Sequence, residues 1–195
     1  MTNRPAHVGA STARLEDPDL LTGKGQFVDD IKLPGTLSAA FLRSPAAHAV
    51  IKNIDTSAAQ NLKGVHAVYT LADLEPHLLS VRIPLSLSSR EISGRETKPL
   101  RDNVTPFILV RDEVCYVGDP FAVVIADTRY QAEDALTAID VDLDMLEPVS
   151  DCRDAVKAGS PPVHRNIPSN ILSEYWMGYG DTDAAFSDAA HVFPL

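Results

Sequence analysis

Cysteine is nearly absent: Cys115 and Cys152 are the only two in 195 residues. That is too few for a disulfide framework or a four-cysteine zinc site, and it fits a reducing compartment, so the cytoplasm is the expected location. Basic residues are scarce as well. Seventeen Lys and Arg face 27 Asp and Glu, a formal net charge of −10, so the mean field repels phosphate backbones and anionic lipid and no nucleic-acid partner is expected. Long hydrophobic runs are missing. The longest uncharged stretch, Leu33 to Leu42, has ten residues, against the roughly 18 that suggest a membrane span. Met1 to Ser11 hold one Arg and no apolar core of signal-peptide length, so neither secretion nor transit is expected. Phosphate-binding fingerprints are absent too: Gly23-Lys24-Gly25 and Gly178-Tyr179-Gly180 complete neither a P-loop nor a dinucleotide motif and read as turns.

What is present is an ordinary globular balance, 45% hydrophobic and 23% charged, enough apolar material to fill a core. The length allows one large domain, or a domain and the beginning of a second. Leu37 to Arg43 and Ala49 to Ile54 suit strands, with Pro45 between them. Thr56 and Ser57 can cap a short helix over Ala58 to Leu62, Gly64 suits its left-handed C-terminal position, and Val65 to Tyr69 resumes β character. This predicts a first β-α-β unit. Thr70 then precedes a second short helix, Leu71 to Leu74, where its hydroxyl can accept from the first turn and Asp73 favours the positive end.

From Ser80 to Pro106, prolines, Gly94 and scattered polar residues break every period, predicting a long irregular excursion of the functional or mobile kind. Phe107 to Val110, the Arg111-Asp112 turn and Val114 to Val117 read as a hairpin. Phe121 to Ala126 is a near-continuous apolar run, as in a strand covered on both faces. Thr128 and Gln131 have capping-box spacing, and Ala132, Ala135, Leu136 and Ile139 form a helical stripe of about three turns. Val141, Leu143 and Met145 alternate with Asp140, Asp142 and Asp144, a half-wet strand that completes a second β-α-β unit. Were its strands parallel neighbours, the crossover would be right-handed. Beyond Pro148, Asp151 can start a helix ending at Gly159, Ile171 to Tyr179 suits a strand, Asp181 caps a helix over Ala184 to Ala189, and a strand begins near His191.

Candidate chemistry is thin. Asp140, Asp142 and Asp144 mimic the start of a calcium loop, but Met145 stands where a Gly is needed and Asp151 where a Glu is, so a solvated strand face is the reading. Asp127 to Asp154 hold nine acids and two bases, a solvated face or a docking surface for a basic partner. His7, His48, His66, His77, His164 and His191 are dispersed, with no pair at ligand spacing on one helix, so no metal site is expected from this chain alone. Cys115, in an apolar strand, reads as a buried inert thiol. Cys152 lies at a helix start that favours thiolate but has no partner base.

Several strings, in order, resemble the N-terminal region of the molybdenum-binding large subunit of the xanthine dehydrogenase, aldehyde oxidase and aerobic carbon monoxide dehydrogenase family. They are Leu15-Glu16-Asp17; Leu21-Thr22-Gly23-Lys24-Gly25-Gln26-Phe27-Val28-Asp29-Asp30-Ile31; Leu33-Pro34-Gly35; and Phe41-Leu42-Arg43-Ser44-Pro45-Ala46-Ala47-His48-Ala49. Ile54-Asp55, Ala58, Gly64-Val65 and Asp73-Leu74 follow, then Tyr116-Val117-Gly118-Asp119-Pro120-Phe121-Ala122, Ala132-Glu133-Asp134-Ala135 and Glu147-Pro148. Gly180-Asp181, Ala184-Ala185-Phe186 and Ala190-His191-Val192 resemble the entrance to the next domain. Asp119 stands where many members have Gln.

The resemblance implies an α/β (α+β) hammerhead domain with two β-α-β units and a mixed sheet over 15–150. A flexible lead-in precedes it over 1–14, and 151–195 would be a linker and the truncated start of a molybdopterin-binding domain. It implies that the complete subunit holds molybdopterin, commonly the cytosine dinucleotide form in bacteria, beside a [2Fe–2S] subunit and an FAD subunit. The family hydroxylates aldehydes or N-heterocycles with water-derived oxygen, or oxidises carbon monoxide. Its pterin contacts and glutamate base lie in later domains; Glu133 and Glu147 fall at hammerhead positions. No catalytic, cofactor-binding or metal residue is therefore assigned here, and the chain is expected to be silent alone, a structural part of an oxidoreductase. Family members run for several hundred residues more, for which a split or truncated gene or a deliberately shortened chain would account. The alternative is an independent, non-catalytic interaction module of the same fold, with 80–106 as its contact surface.

Overall fold

The computed structural model describes residues 9, 11, 13–84, 104–173 and 180–193. Contacts divide the chain into two units, Met1–Thr36 and Leu37–Leu195. In the first, α1 (Asp17–Leu21) starts with Pro18 in its opening turn and carries Asp17 and Asp19 at its positive end, where proline and acids are favoured. The Asp19 carbonyl accepts from the backbone N–H groups of Lys24 and Gly25, and Gly23 supplies the positive φ of +71°. The Gly23-Lys24-Gly25 string is thus a helix-terminating turn.

The second unit contains β1 (Ser38–Arg43), β2 (Ala49–Asp55), α2 (Ser57–Gln60), β3 (Val65–Tyr69), α3 (Leu71–Leu74), β4 (Glu113–Val114), β5 (Pro120–Ala126), α4 (Arg129–Leu136), β6 (Asp140–Met145), α5 (Cys152–Ala155) and α6 (Thr182–Ser187). The strands form two three-stranded sheets, β1-β5-β3 and β4-β2-β6, and all four strand pairings are antiparallel. The α/β class holds, but both β-α-β units resolve differently from a mixed sheet. Within each unit, the strand before the helix and the strand after it enter different sheets: β2 and β3 in the first, β5 and β6 in the second. No parallel neighbours arise among the described residues. Periodicity identifies a strand, whereas the choice of hydrogen-bonding neighbour depends on which apolar face meets which.

β5 is the central strand of its sheet and is buried along almost its whole length, which its continuous apolar run foretells. α4 lies against β1 and β5 through Ala132 and Ala135, both fully buried, with Leu136 and Ile139 beside them in the main core. Small residues on that stripe let the helix approach the sheet closely. At its start the Thr128 hydroxyl oxygen accepts from the Gln131 backbone N–H at 3.3 Å and donates to the Gln131 side-chain oxygen at 2.8 Å. The helix is eight residues long, shorter than the stripe suggests, because Thr137 takes over as the C-cap before Ile139 is reached. At α3 the carboxylate does the capping: Asp73 accepts from the backbone N–H and the hydroxyl of Thr70, at 2.7 and 2.8 Å.

Gly64 has φ +85°, and the Asp127 backbone N–H donates to its carbonyl at 2.9 Å. A Cβ there would press on the side-chain amide of Gln131, a flexible group that can move, so the dominant cost of Gly64→Ala is the left-handed backbone. A loss of about 1–2 kcal/mol in unfolding free energy is expected by urea titration.

The predicted hairpin over 107–117 does not form. Phe107 instead bridges to Arg82, flanked by Ile83 N–H to Pro106 O and Ile108 N–H to Val81 O, so the two ends of the 80–106 excursion pair with each other. Leu109 and Val110 turn inward as packing residues, Leu109 beside Leu71 and Val123 and Val110 in the main core. Val114 pairs with Ala49 of β2. The interior of the excursion, 85–103, lies outside the described residues.

Asp140, Asp142 and Asp144 are exposed along β6 while Val141 and Leu143 are partly covered, so the calcium-loop lookalike is a strand. α5 is a single turn capped by Asp151, whose carboxylate accepts from Arg153 N–H at 2.8 Å. Neither Ile171–Ser173 nor His191–Phe193 forms a strand, and 174–179 lie outside the described residues. α6 is capped by Asp181 as its sequence predicts. No described helix is long and apolar enough to cross a membrane.

Candidate functional site

The chain after β4 reverses over Cys115 to Asp119. Gly118 takes φ +95°, its N–H donates to Ser44 O at 2.8 Å, and Ser44 N–H donates to Asp119 O at 2.9 Å. The Asp119 carboxylate closes the turn by accepting from Cys115 N–H at 3.2 Å. Asp119 is buried, and that burial holds its pKa above the usual carboxylate range against the opposing pull of this hydrogen bond.

This turn forms one wall of a cleft of about 540 Å³, whose lining includes Arg82, Phe107, Arg111, Glu113, Cys115 and His164. The two arginines are committed. Arg82 stacks on the Phe107 ring, 3.8 Å from its centroid, and donates to Thr105 O, while Arg111 pairs with Glu75.

Glu113 is the hub beneath. Its Oε1 accepts from His48 Nε2 at 3.1 Å and from the backbone N–H of Arg165 at 2.9 Å, and the Arg165 guanidinium lies 3.4 Å away. Nδ1 of His48 faces Glu147 O at 2.9 Å. Both ring nitrogens of His48 thus have an oxygen opposite them. The side chains of His48 and Glu113 are only 6% and 12% exposed, so this contact is largely removed from water. It joins β2, β4, the end of β6 and the 163–167 segment.

Beside it, Cys115 Sγ and His164 Nδ1 are 3.2 Å apart. Burial first, then the Glu113 and Asp119 carboxylates, push the thiol up to about 12, and burial pulls His164 below its ordinary value. The pair at neutral pH is therefore a thiol donating to a neutral imidazole, the opposite of an activated thiolate-imidazolium nucleophile. Cys152 is exposed. With chelator present at pH 8, Cys152 is expected to react quickly with a disulfide reagent and Cys115 more than about a hundredfold more slowly, since its thiolate fraction is far smaller. Cys152→Ser should abolish the fast phase, which absorbance of the released thiol would follow.

Sequence reasoning missed this cluster. It places Cys115 in a strand and His164 in a linker, 49 residues apart, with only the Glu113-x-Cys115 alternation as a local hint. His66 is not drawn in: it pairs at the surface with Asp127 at 2.7 Å.

An α/β unit of two antiparallel three-stranded sheets with a helix packed on one of them defines the structural class. The chain belongs to the aldehyde oxidase and xanthine dehydrogenase family, whose α/β hammerhead domain model matches residues 22–147. Among its relatives, the nicotine 6-hydroxylase large subunit of Paenarthrobacter nicotinovorans is 40% identical over 95% of this chain and 21% of its own length. The carbon monoxide dehydrogenase large chain of Afipia carboxidovorans is 36% identical over 86% of this chain and 19% of its own. Among solved structures, quinoline 2-oxidoreductase from Pseudomonas putida 86 superposes with a TM-score of 0.68 at 33% identity, over 84% of this chain and 19% of that one. A Cu,Mo-CO dehydrogenase gives 0.71 at 33% identity, over 94% and 23%. The chain thus spans about a fifth of the length of these relatives.

A molybdopterin needs free N–H donors or uncommitted cations for its phosphate. Among the described residues, the cleft offers two engaged arginines beside Asp112, Glu113 and Asp119. These residues do not fit that group.

Proposed function

We propose that this chain is the N-terminal structural part of the large subunit of a molybdenum-containing hydroxylase or dehydrogenase, supplying scaffold and subunit contacts and no turnover by itself. The observation that carries this reading is the family match over 22–147 in a chain that spans about a fifth of relatives named as large subunits. Residues 15–150 serve as the hammerhead domain, 1–14 as a lead-in, and 151–195 as a linker and the first part of a molybdopterin-binding domain. The names of relatives support the cofactor: one is a large molybdopterin subunit, another a molybdenum-binding subunit. The complete enzyme holds the cytosine dinucleotide form and works in the cytoplasm with a [2Fe–2S] subunit and an FAD subunit. Its substrate is an aldehyde, an N-heterocycle or carbon monoxide.

The test is affinity purification of the tagged full chain from its native cells. Recovery with a molybdopterin-holding polypeptide and with iron–sulfur and flavin proteins is expected. Recovery alone would favour the independent interaction module, and oxidation of aldehydes, N-heterocycles or carbon monoxide by the isolated chain would overturn the reading.

A further inference from the structure

Glu113 lies in β4 and Cys115 just past its end, and both line the same cleft. His164 reaches them from the segment that follows α5. One donor atom from each, a carboxylate oxygen, Sγ and a ring nitrogen, all lie within 4.8 Å of one another. A tetrahedral ion with bonds of about 2.3 Å to sulfur and about 2.0 Å to nitrogen or oxygen holds its ligand atoms roughly 3.3–3.6 Å apart. Sγ and Nδ1 are already at 3.2 Å, and drawing in the carboxylate takes a shift of less than about 1.5 Å, within the reach of a Glu rotamer.

The surroundings meet the other requirements of a metal site. All three side chains line the cleft of about 540 Å³, which gives an entry path and room for water as a fourth ligand. The outer shell is in place: His48 Nε2 and the Arg165 backbone hold the Glu113 carboxylate, and Asp119 fixes the backbone of Cys115. Such partners orient ligands and are worth about 10–100-fold in affinity.

We infer that Glu113, Cys115 and His164 form a three-ligand site for a zinc-like divalent cation. The donor set selects the ion class: thiolate and imidazole suit zinc or cobalt, whereas magnesium and calcium take oxygen ligands. On binding, the S–H bond is replaced by an S–metal bond and the proton leaves to solvent, with no change of oxidation state. The ion clips the end of β4 to the 163–167 segment, adding a metal bond where Glu113 and Arg165 already join the two. This site stands independently of the subunit reading, because its donors all belong to this chain.

The probe is cobalt(II) alone, titrated into the chelator-treated full chain. A thiolate-to-cobalt charge-transfer band and tetrahedral visible bands are expected to saturate at one equivalent and to vanish when one equivalent of zinc is added. Cys152→Ser should keep the band, Cys115→Ser should lose it, and His164→Gln should weaken binding about tenfold or more. In the unmodified chain, zinc should shift the ring resonances of His164 and leave those of His66 in place, a readout that needs no variant to fold. Absence of a saturating band, its survival in Cys115→Ser, its loss in Cys152→Ser, or an unmoved His164 ring would each overturn the site.

Discussion

Replacing Phe121 by Ala is expected to lower the unfolding free energy by about 3–5 kcal/mol. Phe121 is 2% exposed and among the largest fully buried side chains. It stands in β5, which pairs with β1 on one side and β3 on the other, and it packs in the main core with Val110, Val114 and the buried alanines of α4. Truncation removes transfer energy and leaves a cavity that a sheet held on both edges cannot easily close. Against a typical stability of about 5–15 kcal/mol, that loss should move the urea midpoint far down. Phe186→Ala in α6 is the control, since Phe186 is 66% exposed and its loss should stay within about 0.5 kcal/mol. Equal midpoint shifts for the two variants would refute this assignment of the core.

Glu113→Ala, measured with chelator present, is expected to cost about 3 kcal/mol. The substitution takes from the buried His48 Nε2 and the Arg165 N–H the oxygen they share, and each buried polar group left unpaired costs about 1–3 kcal/mol. Amide exchange at Arg165 should accelerate together with the drop in stability. Glu113→Gln, which keeps an acceptor oxygen at the same reach, should cost less. Lys52→Ala offers the contrast: Lys52 and Asp144 are 3.7 Å apart and both more than half exposed, so their pair is worth about 0–1 kcal/mol. A Glu113→Ala cost no larger than that of Lys52→Ala would mean that the hub does not tie the 163–167 segment to β4.

These two sites differ in how far they can be read from the chain. Phe121 announces itself, because an apolar run between Pro120 and Asp127 has no wet face to offer. Glu113 does not. Its neighbours in sequence, Arg111 and Asp112, suggest a surface turn, and only the approach of β2 and the 163–167 segment puts it under cover. Cys115 has the same history: its strand-like surroundings describe a quiet thiol, and the imidazole beside it arrives from a stretch that reads as linker.

The hairpin over 107–117 shows the same limit from the other side. Two apolar runs around Arg111-Asp112 satisfy every local rule for a hairpin, yet Phe107 pairs with Arg82 and Val114 with Ala49. Hydrogen-bonding capacity is identical in every strand, so the partner is settled by which side chains must be buried together. Leu109 and Val110 gain more from two separate core clusters than from one exposed ribbon.

Taken alone, the chain determined strands over 37–43, 49–54, 65–69, 121–126 and 140–145, each within a residue of its place in the structure, the caps at Thr128, Asp151 and Asp181, the left-handed Gly64, and its family through strings kept in order. Those features are written in neighbouring residues, where periodicity and capping act. Tertiary structure decided that the strands divide between two antiparallel sheets, that 107–110 packs inward, and that His48, Glu113, Cys115 and His164 meet. Contacts between residues far apart in sequence carry no local periodicity, and they exist only once burial has chosen which faces come together.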